Sequence, residues 1–300
     1  MVISIVGCLL AWPLEAQTTI SVTDMTGWTP WMTAGNAVMV DPAADQQTGQ
    51  GQDDFVGDLT YYGFQQKAGK LVSDPINDYI LYRARMAKYD SKGFGGNWEL
   101  GMDLDGNGSV DLVMKMTDKN GQTITFASPG TGANTSPSTT SWGTFAGSIT
   151  LNTNTYNYQN ATAVDGGYAS TSSTANAWVT FGISFNNLQT AIQAYATGFS
   201  NYEVNDKTRI SYISFTSTQG NAINQDLYGT TGNLSSTVTF ADLGAGSGPL
   251  SPSGVVPEPA TYMQLGVLML SGLGVMWWRR RGAKGQTTAV GIGPGKKHLV

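Results

Sequence analysis

The stretch "WELGMDLDGNGSVDLVMKM", Trp98–Met116, carries the same pattern on both sides of a polar centre. Trp98, Leu100 and Met102 alternate with other residues on the way in; Val110, Leu112, Met114 and Met116 alternate on the way out. Successive side chains of a strand point to opposite faces, so a period of two marks a β-strand with one buried face. The Asp, Gly and Asn between the two halves are turn formers. The stretch predicts a β-hairpin, and with it a mainly β, antiparallel, sandwich-like body.

Other segments repeat the signature. In "DYILYRARMAK", Asp78–Lys88, Ile80, Tyr82, Ala84 and Met86 fall on one side; Leu81, Arg83, Arg85 and Ala87 fall on the other. "WVTFGISF", Trp178–Phe185, and "RISYISFT", Arg209–Thr216, read as further strands, with Thr237–Phe240 as a last one. One helix is expected after Asn186-Asn187, because Leu188, Ala191, Ile192 and Tyr195 recur at helical spacing and Gly198 can stop it. "DPAADQQTGQGQDDFVGD", Asp41–Asp58, reads as an acidic surface loop, and Pro129–Thr140 as a flexible connection. No clear internal repeat is present.

The hairpin loop carries the strongest chemical signal. Asp103, Asp105 and Asn107 occupy positions 1, 3 and 5 of an EF-hand-type loop, with Gly108 at 6, Ser109 at 7 and Asp111 at 9. That spacing wraps hard oxygens around one point, which suits Ca²⁺. Position 12 is Met114 rather than Glu, so the usual bidentate ligand is missing and would have to come from Asp90, Glu99, Asp118 or another loop. The competing reading is an Asp/Asn/Gly-rich turn that holds no ion. The expected role of Ca²⁺ is structural.

Composition excludes several chemistries. The only cysteine is Cys8, and the only histidine is His298. The body between them therefore offers no disulfide, no thiol nucleophile, no imidazole base and no Cys/His zinc site. Gln17–Val256 holds 17 Asp and two Glu against ten Lys and Arg, a net charge of −9 (10 − 19). An acidic body argues against a nucleic-acid partner, because the phosphate backbone demands a basic face. A glycoside hydrolase or lyase would need two facing carboxylates about 5–9.5 Å apart, and no pair with that context stands out, so the protein is expected not to be an enzyme. Trp142, between Thr and Ser residues, is the candidate for sugar contact in a carbohydrate-binding module.

The two ends read as targeting segments. Met1–Leu14 is an apolar run of signal-peptide length, with Ala16 as a cleavage position. No basic residue precedes it, which points to a start upstream of Met1. Ile5-Val6-Gly7-Cys8 also resembles a lipobox, and a buried first strand is the other alternative. Ala260–Trp278 is 19 residues without a charge. As a helix at about 1.5 Å per residue it nearly matches the ~30 Å hydrocarbon core of a bilayer. Arg279, Arg280 and Arg281 follow, and positive charge beside a span stays in the cytoplasm. The alternative is a buried core helix with a basic end.

Pro257-Glu258-Pro259, the apolar span and the arginine cluster, in that order, resemble the PEP-CTERM sorting signal of Gram-negative surface proteins, over Val256–Gly282. The resemblance implies recognition by an exosortase-type membrane protease, cutting near Pro-Glu-Pro, and release to the cell surface or its exopolysaccharide. The chain departs from the usual pattern in running on to Val300 through a basic tail, 283–300. "FTSTQGNAINQDLYG", Phe215–Gly229, resembles a segment of an uncharacterised secreted bacterial β domain that pairs it with an earlier Asp-rich turn; Asn221, Asn224, Gln225 and Asp226 read as turn-organising groups or as ligands. The expected organisation is a signal peptide (1–16), an exported β domain (17–243), a Gly/Ser/Pro linker (244–256), the anchor (257–282) and the tail. The function it implies is that of a non-catalytic surface or matrix protein, stabilised by calcium and associated with exopolysaccharide.

Overall fold

The computed structural model describes residues 18–253, apart from 48–49, 120, 131, 133, 169–174, 220–221 and 233. The signal peptide, the Pro-Glu-Pro element, the apolar span, Arg279–Arg281, the tail and Asn221 lie outside the described residues. Among the described residues, no helix is long and apolar enough to cross a membrane.

The body is built of β-strands. They are β1 (Thr19–Ile20), β2 (Thr29–Pro30), β3 (Phe64–Leu71), β4 (Asp74–Met86), β5 (Asn97–Asp103) and β6 (Leu112–Thr117). Further along come β7 (Thr123–Ala127), β8 (Ala146–Thr150), β9 (Tyr156–Asn160), β10 (Ala177–Ser184), β11 (Ser211–Ser217) and β12 (Asp226–Leu227). One sheet runs β1-β3-β4-β10-β9, with β2 on β3; the other runs β12-β11-β5-β6-β7-β8. Apart from the parallel β1–β3 contact, the pairings are antiparallel. The mainly β, antiparallel, sandwich-like expectation holds.

The two sheets meet through aromatic side chains. Trp98 of β5 stands edge-on to Phe64 of β3 and Phe181 of β10, with ring centroids 5.2 and 4.8 Å away. Tyr82 of β4 meets Tyr212 of β11 at 5.5 Å, and their hydroxyls are 3.2 Å apart. Edge-to-face rings at these distances add about 0.5–1.5 kcal/mol each beyond the area they bury.

Both faces of β4 are covered from Ile80 to Met86, not one. The second face carries two buried arginines, held by aromatic rings. The Arg83 guanidinium lies 3.9 Å from the centre of the Trp28 ring; that of Arg85 lies 4.2 Å from Trp178. Arg83 also donates to the Asp24 carbonyl, and Arg85 pairs with Asp165 of the short helix α1 (Thr162–Asp165). Alternation alone reports where side chains point; it does not report that a loop will later cover the polar face.

Three further expectations are corrected. The helix α2 (Phe185–Tyr195) starts before Asn186, because Ser184 caps it by accepting from the Asn187 N–H at 3.2 Å. Thr237–Phe240 is not a strand: Thr239 caps the short helix α3 (Phe240–Leu243) and accepts from the Asp242 N–H. Gly244–Ser253 is not a free linker. Ala245 and Leu250 are buried, Gly246 and Leu250 bridge to Ile213 and Ile210, and Gln66 donates to the Ser251 carbonyl. The chain divides into two units at Val255/Val256, and every described residue belongs to the first.

The Arg85–Asp165 pair yields a stability test. Asp165→Asn leaves a buried guanidinium short of its counter-charge, whereas Arg85→Met removes that charge and keeps volume. Asp165 is about one-third exposed, so solvent screening brings the loss for Asp165→Asn to roughly 1–3 kcal/mol. Chemical denaturation should find Arg85→Met the milder of the two; the reverse order would show that the guanidinium's stacking on Trp178, not its pairing with Asp165, holds this face together.

Candidate metal centre

The hairpin of β5 and β6 forms as expected, in register from Asn97 opposite Thr117 to Met102 opposite Leu112. Its loop turns through Gly106 and Gly108, at φ values of +79° and +85°, where a side chain would be strained. Asp103 organises the turn. Its Oδ1 accepts from the Gly106 N–H at 2.7 Å and the Asn107 N–H at 3.2 Å, and its Oδ2 accepts from the Gly108 N–H at 2.9 Å. Asp105 accepts from both nitrogens of Asn107, and Asp111 accepts from the Leu104 N–H at 2.8 Å. The Asn107 Oδ1 accepts from the Ser109 N–H at 2.8 Å.

These bonds gather Asp103, Asp105 and Asp111, so that one oxygen from each lies within 4.8 Å of the others. The concentration of charge shows on Asp111. Burial first, then the Asp105 and Asp103 charges, push its carboxyl up to about 6 against the pull of the Leu104 N–H. A cavity of about 370 Å³ borders the loop, lined by Thr33, Asp103, Gly106, Gly108, Ser211 and Ser247 among others.

None of Asp90, Glu99 and Asp118 comes to this cluster. Asp118 follows Thr117 at the far end of the hairpin, where it accepts from the Phe94 N–H and from Gln122. Asp90 accepts from the Lys92 N–H. Glu99 is fully buried across from Lys115 and accepts from the Trp142 Nε1 at 3.0 Å. A hairpin separates its two ends by the length of its strands, at about 3.4 Å per residue, so proximity in sequence did not become proximity in space.

Trp142 itself is only 7% exposed, with its ring stacked at 5.2 Å on Phe215. It closes the outer face of the second sheet over Glu99 and presents no platform to a sugar, which corrects the sequence expectation. The Thr and Ser neighbours suggested a solvent loop, but a single bridge from Trp142 to Pro129 folds that loop inward.

The structure also assembles carboxylates that the sequence reading placed on the surface. Asp41, Asp53 and Asp54 are all at most 3% exposed. Asp41, Asp45 and Asp226 each bring an oxygen within 4.8 Å of the others. Asp226 accepts from the Phe55 N–H at 2.6 Å and from the Leu227 N–H, and Asp41 accepts from the Gly229 N–H at 2.5 Å. Burial, reinforced by the neighbouring carboxylates, holds Asp41 and Asp226 well above the usual carboxylate range. Burial chiefly takes Asp45 up to about 6 and Asp54 up to about 7. Asn224, by contrast, organises its own turn, accepting from Ser217 and the Thr218 N–H. The sequence signals for this cluster were the density of Asp between 41 and 58 and the reading of Asp226 as a turn-organising group or ligand; nothing in the sequence joined the two.

Glu99 provides a pH test. Burial pushes its carboxyl from 4.5 up to about 8, against the opposing pull of Lys115 and the Trp142 N–H. An acid whose pKa is higher folded than unfolded binds more protons when folded, so stability falls as pH rises from about 4.5 to about 8. Glu99→Gln keeps an acceptor for Trp142 and removes the charge. Its melting temperature should match the parent near pH 4.5 and exceed it by several degrees at pH 8. A difference that does not change between those pH values would show that Glu99 is not a buried titrating group.

Comparison with known proteins places one segment. A family model described as the PEP-CTERM protein-sorting motif matches residues 255–281. No curated protein and no solved structure matches the chain. The match spans the Pro-Glu-Pro element, the apolar run and the three arginines, the same three parts in the same order as the sequence pattern. The chain therefore carries a PEP-CTERM sorting motif, a C-terminal signal that implies export, membrane-anchored sorting with processing by exosortase, and display at the surface.

Proposed function

We propose that this is a non-catalytic surface or extracellular-matrix protein of a Gram-negative bacterium, associated with exopolysaccharide and stabilised by Ca²⁺ in the Asp103–Asp111 loop. The sorting motif at residues 255–281 carries the surface assignment. The gathered oxygens of Asp103, Asp105 and Asp111 support the cation. The cation set would be these three carboxylates with Asn107 and the Ser109 carbonyl, and the adjoining cavity leaves room for waters to complete the shell. Hard oxygens without nitrogen or sulfur suit Ca²⁺ rather than a transition metal.

A catalytic role finds no support in the residues available. The body has no His or Cys, and one of its two Glu, Glu99, is sealed beneath Trp142. A carbohydrate-binding module that stacks sugar on tryptophan is disfavoured by packing. Trp31, Trp98, Trp142 and Trp178 are buried, and the Arg83 guanidinium lies over the ring of Trp28.

Two experiments test the proposal. The intact mass of protein recovered from the surface of its own cells should lack Ala260–Val300. A mass that includes those residues would replace processing near Pro257-Glu258-Pro259 with simple membrane anchoring. For the loop, a ligand that binds only the folded state stabilises it by mass action. Millimolar Ca²⁺ over a site of about 10⁻⁴ M would give roughly 1.4 kcal/mol. Chelation should then lower the melting temperature by several degrees, and Asp103→Ala or Asp105→Ala should reduce the calcium response. An Asp103→Ala protein with an undiminished response would leave this loop as an ordinary turn.

A further inference from the structure

Asp41 and Asp45 of the loop 41–58 meet Asp226 of β12 in the interior, each with an oxygen within 4.8 Å of the others, and Asp54 of the same loop lies close enough for its charge to act on Asp41 and Asp226. Four features of this junction need a common explanation. First, the carboxylates come from opposite ends of the body and converge where three of them are almost fully enclosed. Second, their neighbours in charge are one another: Asp41 feels Asp226, Asp45 and Asp54, and Asp226 feels Asp45 and Asp54. Among the described residues, no lysine or arginine forms an ion pair with any of the four. Third, the Asp41 Oδ2 is enclosed and has no hydrogen-bond partner among the described residues, on a side chain only 1% exposed. Fourth, the Asp54 Oδ1 and the Gln46 Oε1, in the same loop, are in the same condition.

Enclosed carboxylates without partners are costly unless a cation or protons balance them. The hairpin loop differs in this respect, since its Asp103 is occupied by three backbone N–H groups. We infer that Asp41, Asp45 and Asp226, with the enclosed and unpartnered Asp54 Oδ1 beside them, form a second divalent-cation site, suited to Ca²⁺, that ties the 41–58 loop to β12. The Asp41 Oδ2, both Asp45 oxygens and the Asp54 Oδ1 are the free ligand atoms. The other oxygens of Asp41 and Asp54 are already held, by the Gly229 N–H and by the Ala44 N–H at 2.9 Å, which fixes their orientation. Asp226, anchored by the Phe55 and Leu227 N–H groups, supplies the remaining charge. Several carboxylates and an amide oxygen give the high oxygen count that Ca²⁺ takes and Mg²⁺, which keeps most of its waters, does not require. The alternative is a cluster closed by shared protons, with no ion.

The test uses the detergent-solubilised full chain, stripped of metal and titrated with CaCl₂ by calorimetry. Asp103→Asn/Asp105→Asn removes the hairpin site and Asp41→Asn/Asp54→Asn removes the buried one. The parent should bind one more Ca²⁺ than the Asp41→Asn/Asp54→Asn variant, and the Asp103→Asn/Asp105→Asn variant should keep that ion. In chelator the Asp41→Asn/Asp54→Asn variant should melt no lower than the parent, because neutral amides relieve the repulsion; in Ca²⁺ only the parent should gain. If the double variant does not melt cooperatively, Asp41→Asn alone decides. It preserves an acceptor for the Gly229 N–H and should weaken this site at least about tenfold. Unchanged calcium stoichiometry and affinity in these variants would overturn the site in favour of shared protons. Failure of the hairpin variant to lose an ion would count against the Asp103–Asp111 reading alone.

Discussion

Trp98 is the contact on which the body depends. It is fully enclosed between the two sheets, edge-on to Phe64 on one strand of the opposite sheet and to Phe181 on another. Its Nε1 donates to the Ser214 hydroxyl at 2.9 Å, so the same ring that sets the spacing between sheets also ties β5 to β11. A strand shifted by one residue turns every side chain to the other face. With Trp98 inside, Leu100 and Met102 must also face inward and Glu99, Gly101 and Asp103 outward. That parity puts Glu99 under Trp142 and delivers Asp103 to the turn at the sheet's end.

Charge is distributed in this interior in two ways. On the outer face of β4, Arg83 and Arg85 are stacked on tryptophan rings, and Arg85 is paired with Asp165. Guanidinium groups tolerate such places because they are planar, weakly hydrated and able to stack. The carboxylates of the 41–58 loop have no comparable company. Their neighbours are other carboxylates and a few backbone N–H groups. One kind of buried charge is balanced within the described residues; the other is not, and that contrast separates a packing device from a candidate binding site.

Much of the architecture was legible because it depends on local rules. The period of two in Trp98–Met116 predicted β5 and β6, and the Asp/Gly/Asn centre predicted the turn, which the structure builds with Gly106 and Gly108 at positive φ. The α2 face was legible from the spacing of Leu188, Ala191 and Ile192, all of which are buried. The cap was misplaced because Asn186, Asn187 and Ser184 can all accept a backbone N–H, and the exact start depends on where β10 ends. The Gly/Ser/Pro composition of 244–253 read as a linker, but small residues also let a chain lie flat against a sheet edge, and here they do so beside β11.

The amino-acid sequence by itself determined the β class, the hairpin and its acidic turn, the absence of thiol and imidazole chemistry from the body, and the sorting motif. These follow from spacing and composition over short ranges, where each residue's neighbours in the chain are its neighbours in space. Only the tertiary structure decided which acids are enclosed, that Trp142 is a lid over Glu99, and that Asp41 and Asp226 meet. Burial depends on what the rest of the chain lays over a residue, and a polar loop reads the same in sequence whether water or a second segment covers it.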